Sequence, residues 1–96
     1  MAVLVHFEAV VKPECLDDLI ERLKAGLPDT RAHEGCRDLR TYLNEDGKTL
    51  VAIEQWDSKE QYQKYLAWRT ETGVMDALGA LFDGPPTIRF FEAIDA

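Results

Sequence analysis

No apolar run in the sequence reaches the roughly 18 residues that a membrane-spanning helix needs, so no membrane partner is predicted. Residues 1–11 are apolar but lack the basic flank and small-residue cleavage site of a secretory leader; they are expected to be a first strand, and the protein cytoplasmic. Cysteine is scarce. Cys15 and Cys36 are too few for a disulfide scaffold and are not spaced as a metal knuckle. Both lie among apolar residues and are expected to be buried, reduced thiols. Paired histidines, an H-E-x-x-H motif, a glycine-rich phosphate loop and a nucleophile elbow are all missing, so neither a metal nor a cofactor is predicted. Basic residues are outnumbered, 11 Lys and Arg against 18 Asp and Glu, for a net charge of -7. They are scattered along the chain, whereas nucleic-acid binding calls for a basic stripe, so no nucleic-acid partner is expected.

What the sequence does have is periodicity. Its 96 residues amount to one domain, taken here as 1–96. So small a domain buries a limited share of its surface, and with disulfides excluded a partner chain is the remaining source of buried area. Residues 3–11 form a strand in which Val3, Val5, Phe7, Ala9 and Val11 make a core face, while Leu4, His6, Glu8 and Val10 make a mixed one. From residue 13 to about 32, Cys15, Leu16, Leu19, Ile20, Leu23 and Leu27 recur at helical steps, with Pro13 suited to the first turn and Pro28 expected to break or kink the run. Strands follow at residues 36–43 and 48–56, joined by Asn44-Glu45-Asp46-Gly47, a hairpin signal. Ser58 with Gln61 three residues on fits a capping box for a helix running from Lys59 to about Arg69. Thr70 to Gly73 interrupt it, Val74 to Phe82 make a second amphipathic stretch, and Asp83-Gly84-Pro85-Pro86 breaks the chain before a last strand at residues 87–94.

The order β-α-β-β-α-β predicts an α+β fold: a four-stranded antiparallel sheet with its helices on one face. The other face is then bare. All four strands carry apolar residues on both parities, which a wet face does not do, so a second copy of the chain is expected to cover it as a homodimer.

Chemistry is sought on the mixed positions. His6 lies mid-strand and supplies an imidazole that titrates near neutral pH. Glu54 and Trp56 share a strand face; a buried Glu54 needs a partner, and Arg40 or Arg89 is available. Tyr62, Tyr65 and Trp68 recur at steps of three along the second helix, where Tyr65 and Trp68 are placed to wall a cavity against the sheet. His33, in a polar connection, is expected to be exposed and inert.

The segments V-V-K-P at residues 10–13, R-A-H-E-G-C at 31–36, E-Q-W-D-S-K-E at 54–60 and the G-P-P before the aromatic strand at 84–91 resemble the antibiotic biosynthesis monooxygenase family, a branch of the dimeric α+β barrel proteins with a ferredoxin-like sheet. The resemblance spans nearly the whole chain. It implies a dimer whose sheets face each other. It also implies oxidation of a small hydroxylated aromatic, quinol or phenol, by O2 without metal or flavin. Trp56 matches the family's strand-end tryptophan. Where many relatives carry a histidine on the following helix this chain has Tyr65, and Thr70 stands where a second follows. Haem-degrading relatives have an asparagine at the His6 position and an iron-ligating histidine at the Met75 position, so the resemblance does not extend to haem degradation.

On this reading His6 is the base and Tyr65 its catalytic partner, with Trp56, Arg40, Glu54 and Trp68 binding a small aromatic substrate. This requires His6 and Tyr65 to face one cavity. The alternatives are a ligand-binding or structural dimer without turnover and a small-lactone isomerase on the same fold.

Overall fold

The computed structural model describes residues 2–96. Strands β1 (Val3–Val10), β2 (Cys36–Leu43), β3 (Thr49–Trp56) and β4 (Thr87–Glu92) form one antiparallel sheet in the order β2-β3-β1-β4. Helices α1 (Leu16–Ala32), α2 (Lys59–Glu71) and α3 (Val74–Gly79) follow the strand order predicted from periodicity. They cover one sheet face. Strand alternation decides what meets them. Val3, Val5, Ala9, Leu50, Ala52, Glu54 and Trp56 are buried beneath the helices, together with Leu19, Tyr62 and Tyr65.

Asp17 and Asp18 in the first turn of α1 and Arg31 in its last complement the helix dipole. Pro28 lies inside α1 and does not end it. The missing N–H costs a hydrogen bond, but Thr30, two residues further and 1% exposed, is bonded to both Tyr65 and Arg69, which holds the last turn in place. Ser58 caps α2 as expected, its Oγ accepting from the Gln61 N–H at 3.2 Å. The hairpin turn is held by Asp46, whose carboxylate accepts from the Lys48 and Thr49 N–H groups at 2.9 and 3.0 Å. Those bonds keep its pKa below the usual value.

Three features differ from expectation. A register shift between Cys36 and Asp38 marks a bulge in β2. It turns Cys36 opposite Trp56 and so onto the covered side, away from the Asp38, Arg40 and Tyr42 parity it was assigned to. Both cysteines are half-buried free thiols, not fully buried ones. The last strand stops at Glu92, leaving Ile94 exposed.

Gly35 sets how α1 reaches β2. Its φ is 93°, and a Cβ there would lie 2.7 Å from the Gln61 Cβ. Its carbonyl accepts from the Asp57 N–H at 2.8 Å, tying the turn to the start of α2. Only glycine allows that approach.

On the uncovered face, pairing aligns Arg40, Ile53, His6 and Arg89 in one row across all four strands. Tyr42 and Phe91 on the same face are about half exposed.

Candidate active site

A chamber of about 70 Å³ lies between the sheet and the helices, its lining including Glu54, Tyr62, Tyr65, Leu39, Leu66 and Met75. Its walls are apolar except for Thr41, Glu54 and the two tyrosines. Two open clefts flank it. One, of about 330 Å³, runs between α1 and the β2 edge. The other, of about 270 Å³, lies between α1, α2 and α3. Leu23 and Leu27 of α1 border all three spaces. Those two side chains are therefore the part of the partition that the chamber has in common with both clefts.

Glu54 is the one carboxylate among the described residues lining the chamber. It points inward because β3 alternation buries positions 50, 52, 54 and 56 together. It is 4% exposed. Burial raises its pKa from 4.5 to about 7, and the Trp56 indole, donating to Oε1 at 2.9 Å, opposes that rise. Neither Arg40 nor Arg89 reaches it: both stand on the opposite sheet face. The Tyr62 hydroxyl, buried beside Glu54 and Tyr65, has its pKa driven strongly upward by burial first and by those neighbours second. It stays protonated and available as a donor.

Tyr65 is tied down on its outer side. Its hydroxyl lies 2.7 Å from Thr30 Oγ1 and accepts from Arg69 Nε at 3.0 Å. Arg69 Nη2 also donates to the Gly26 carbonyl at 2.9 Å and to Thr30 Oγ1 at 3.0 Å. This buried network joins α1 to α2 and fixes the tyrosine ring against the chamber. Trp68 stands outside it, over the Arg69 guanidinium at 4.5 Å and not on the chamber wall.

His6 is on the other side of the sheet. Its ring is edge-on to Phe91 at 6.4 Å, Nε2 is 3.8 Å from Glu8, and Nδ1 is buried without a hydrogen bond. Arg40 shares that face and pairs with Asp38 at 3.6 Å. The expected pairing of His6 with Tyr65 in one cavity is therefore corrected: β1 alternation sends Val5 toward the helices and His6 away from them. The structure brings Glu54, Trp56 and Tyr65 together and sets His6 and Arg40 apart.

His33 is also corrected. Its ring is half-buried, stacked on Trp68 at 5.4 Å and 29°, edge-on to Tyr65 at 5.3 Å, and 6.2 Å from Trp56. Thr30, Tyr62 and Arg69 carry the site and were not singled out for it from sequence. The signal available was the helical spacing of Tyr62, Tyr65 and Arg69, which places all three on one buried face. Among the described residues no group of three His, Cys, Asp or Glu is placed to hold a metal ion, and no helix is long and apolar enough to cross a membrane.

Sheet order, helix placement and the chamber between them define a ferredoxin-like α+β protein. The model of the antibiotic biosynthesis monooxygenase family matches residues 2–71, and the chain belongs to that family. No curated protein matches the sequence. Among solved structures, the chain is similar to Rv0793 from Mycobacterium tuberculosis, with a TM-score of 0.86 and 24% identity over 100% of this chain and 98% of that one. It is similar to the NE2512 protein of unknown function from Nitrosomonas europaea, with a TM-score of 0.81 and 19% identity over 99% and 91%. It is also similar to a monooxygenase from the gene ActVA-Orf6 of Streptomyces coelicolor in complex with the ligand Nanaomycin D, with a TM-score of 0.77 and 25% identity over 99% and 88%.

Proposed function

We propose that this protein is a cofactor-independent monooxygenase that oxidises a small hydroxylated aromatic with O2. The observation that carries the reading is Glu54, a carboxylate in an apolar chamber with a pKa of about 7. A base of that pKa is matched to taking a phenolic proton near neutrality. His6, assigned that role from sequence, lies across the sheet; Glu54 takes its place.

The substrate ring enters through the partition at Leu23 and Leu27, since the chamber alone is smaller than a usual ligand pocket. Glu54 accepts the phenolic proton. The phenolate passes one electron to O2, and the radical pair joins through a new C–O bond to give a ring peroxide anion. Its O–O bond then breaks. One oxygen stays as the second quinone carbonyl, and the other leaves as water with the ring hydrogen and the proton held by Glu54. The substrate supplies all four electrons. Tyr62 donates to the developing oxyanion, Tyr65 stacks the ring from the chamber wall, and Trp56, behind that wall, holds the carboxylate in place through its indole N–H. The Streptomyces coelicolor relative, a monooxygenase solved with a bound ligand, supports this choice among the activities the fold can host.

Oxygen uptake with a panel of hydroquinones tests it. Glu54→Gln is expected to lower kcat by about 100-fold or more, while His6→Ala leaves kcat within about 2-fold. Uptake that survives Glu54→Gln rejects the assignment. A wild-type chain that binds the panel without uptake is a ligand-binding dimer instead.

The bare sheet face is proposed as the homodimer interface. It exposes Tyr42 and Phe91 amid Asp38, Glu8, Arg40 and Arg89. An isologous partner would cover this apolar and charged surface with the same surface of its own.

A further inference from the structure

Arg69 is a buried cation without a counter-ion. It is 7% exposed, and none of the ion pairs among the described residues includes it. Acidic residues are plentiful in a chain of net charge -7, so the isolation is not for want of carboxylates. A guanidinium withdrawn from water is costly unless its charge is met. Here its Nε and Nη2 are held by neutral acceptors only: the Tyr65 hydroxyl, the Gly26 carbonyl and the Thr30 hydroxyl. Trp68 and Tyr65 lend it ring faces at 4.5 and 5.4 Å. These partners orient the cation and do not neutralise it. Nη1 makes no hydrogen bond to the described residues, yet it is not among the polar atoms sealed from solvent.

Arg69 lines the 270 Å³ cleft between α1, α2 and α3. Arg22, also on that cleft, is already paired with Asp18 at 3.4 Å. The cleft shares Leu23, Leu27, Tyr65 and Leu78 with the chamber that holds Glu54. On the opposite cleft the cations Lys24 and Arg31 are exposed, Lys24 sits 3.7 Å from Glu21, and Arg31 donates to the Leu39 carbonyl. The desolvated cation is on one side only.

We infer that the Arg69 cleft is the subsite for a carboxylate substituent of an aromatic ligand whose hydroxylated ring enters the chamber. Arg69 Nη1 offers two N–H donors to the carboxylate, and a charge-assisted bond is roughly twice as strong as one between neutral groups. The substrate class is then a phenolic or quinolic acid. This rests on the reading of the chamber given above, and binding measured without turnover separates the two.

The test is calorimetric titration of the intact protein, under nitrogen at neutral pH, with gentisate and with gentisamide, which differ by carboxylate against amide. Gentisate is expected to bind at least about tenfold more tightly. Arg69→Gln removes the preference: in that variant gentisate and gentisamide bind within about 2-fold of each other. Should that variant not fold, Ala77→Glu gives the answer independently: Ala77 lines the same cleft, outside the Arg69 network, and a carboxylate there competes for the guanidinium. Wild type without a carboxylate preference, whether both ligands bind alike or neither binds, overturns the inference. So does a preference that persists in Ala77→Glu or in folded Arg69→Gln. A preference with no oxygen uptake in air keeps the subsite and removes the oxygenase reading; uptake from both ligands without a preference does the reverse.

Discussion

The Trp56 indole donates to the Glu54 carboxylate from two positions along the same strand, at 2.9 Å, with both side chains buried. Strand alternation puts the two on one face, so the bond follows from their spacing. It is the only protein hydrogen bond to that carboxylate among the described residues, and it partly offsets the cost of burial.

Trp56→Phe removes that donor. The pKa of Glu54 is expected to climb above about 7, because the lost bond is the one that lowers it. The alkaline shift is read from the pH profile of oxygen uptake. Stability should fall by about 1–3 kcal/mol in urea denaturation.

Glu54 also shapes stability against pH. Its folded pKa of about 7 exceeds its ordinary 4.5, so between those values the folded chain holds a proton that the unfolded chain has released. The group favours the fold fully below pH 4.5, and that contribution is lost as pH rises through about 7. The loss is roughly 3 kcal/mol. Glu54→Gln should remove this decline. Denaturation midpoints of the two chains at pH 5 and 8 give the difference; parallel curves reject the burial argument.

Gly35→Ala meets both a φ of 93° and a contact of 2.7 Å with the Gln61 Cβ. Gly47→Ala meets a φ of 76° in open space. The first is expected to cost about 2–3 kcal/mol and the second about 1 kcal/mol, measured as urea midpoints at unchanged slope.

Ile53→Asp tests the interface. Ile53 stands between His6 and Arg40 on the bare face, away from the chamber. Sedimentation should find the wild type dimeric and the variant monomeric. A variant that stays dimeric places the interface elsewhere.

Periodicity carried most of the fold. Alternation along residues 3–11 already separated Val5 from His6, and the Ser58–Gln61 cap and Asp46-Gly47 turn were legible because each is made within a few residues. Pro28 does not break α1, as its residue type allows, because local propensity counts a lost N–H, while the bonds that hold the last turn of α1 come from Tyr65 and Arg69, far along the chain. Cys36 was misassigned because a bulge shifts parity without leaving a mark in composition.

The site divides the same way. The sequence by itself determined that Glu54 and Trp56 share a face and that aromatic residues line one side of α2, since both follow from the repeat of strand and helix. Which sheet face α2 covers was decided only by the tertiary structure, and that choice brings Tyr65 to Glu54 and leaves His6 outside. The isolation of Arg69 was decided there too. Whether a buried charge finds a counter-ion depends on where every other element lands, and no local pattern encodes it.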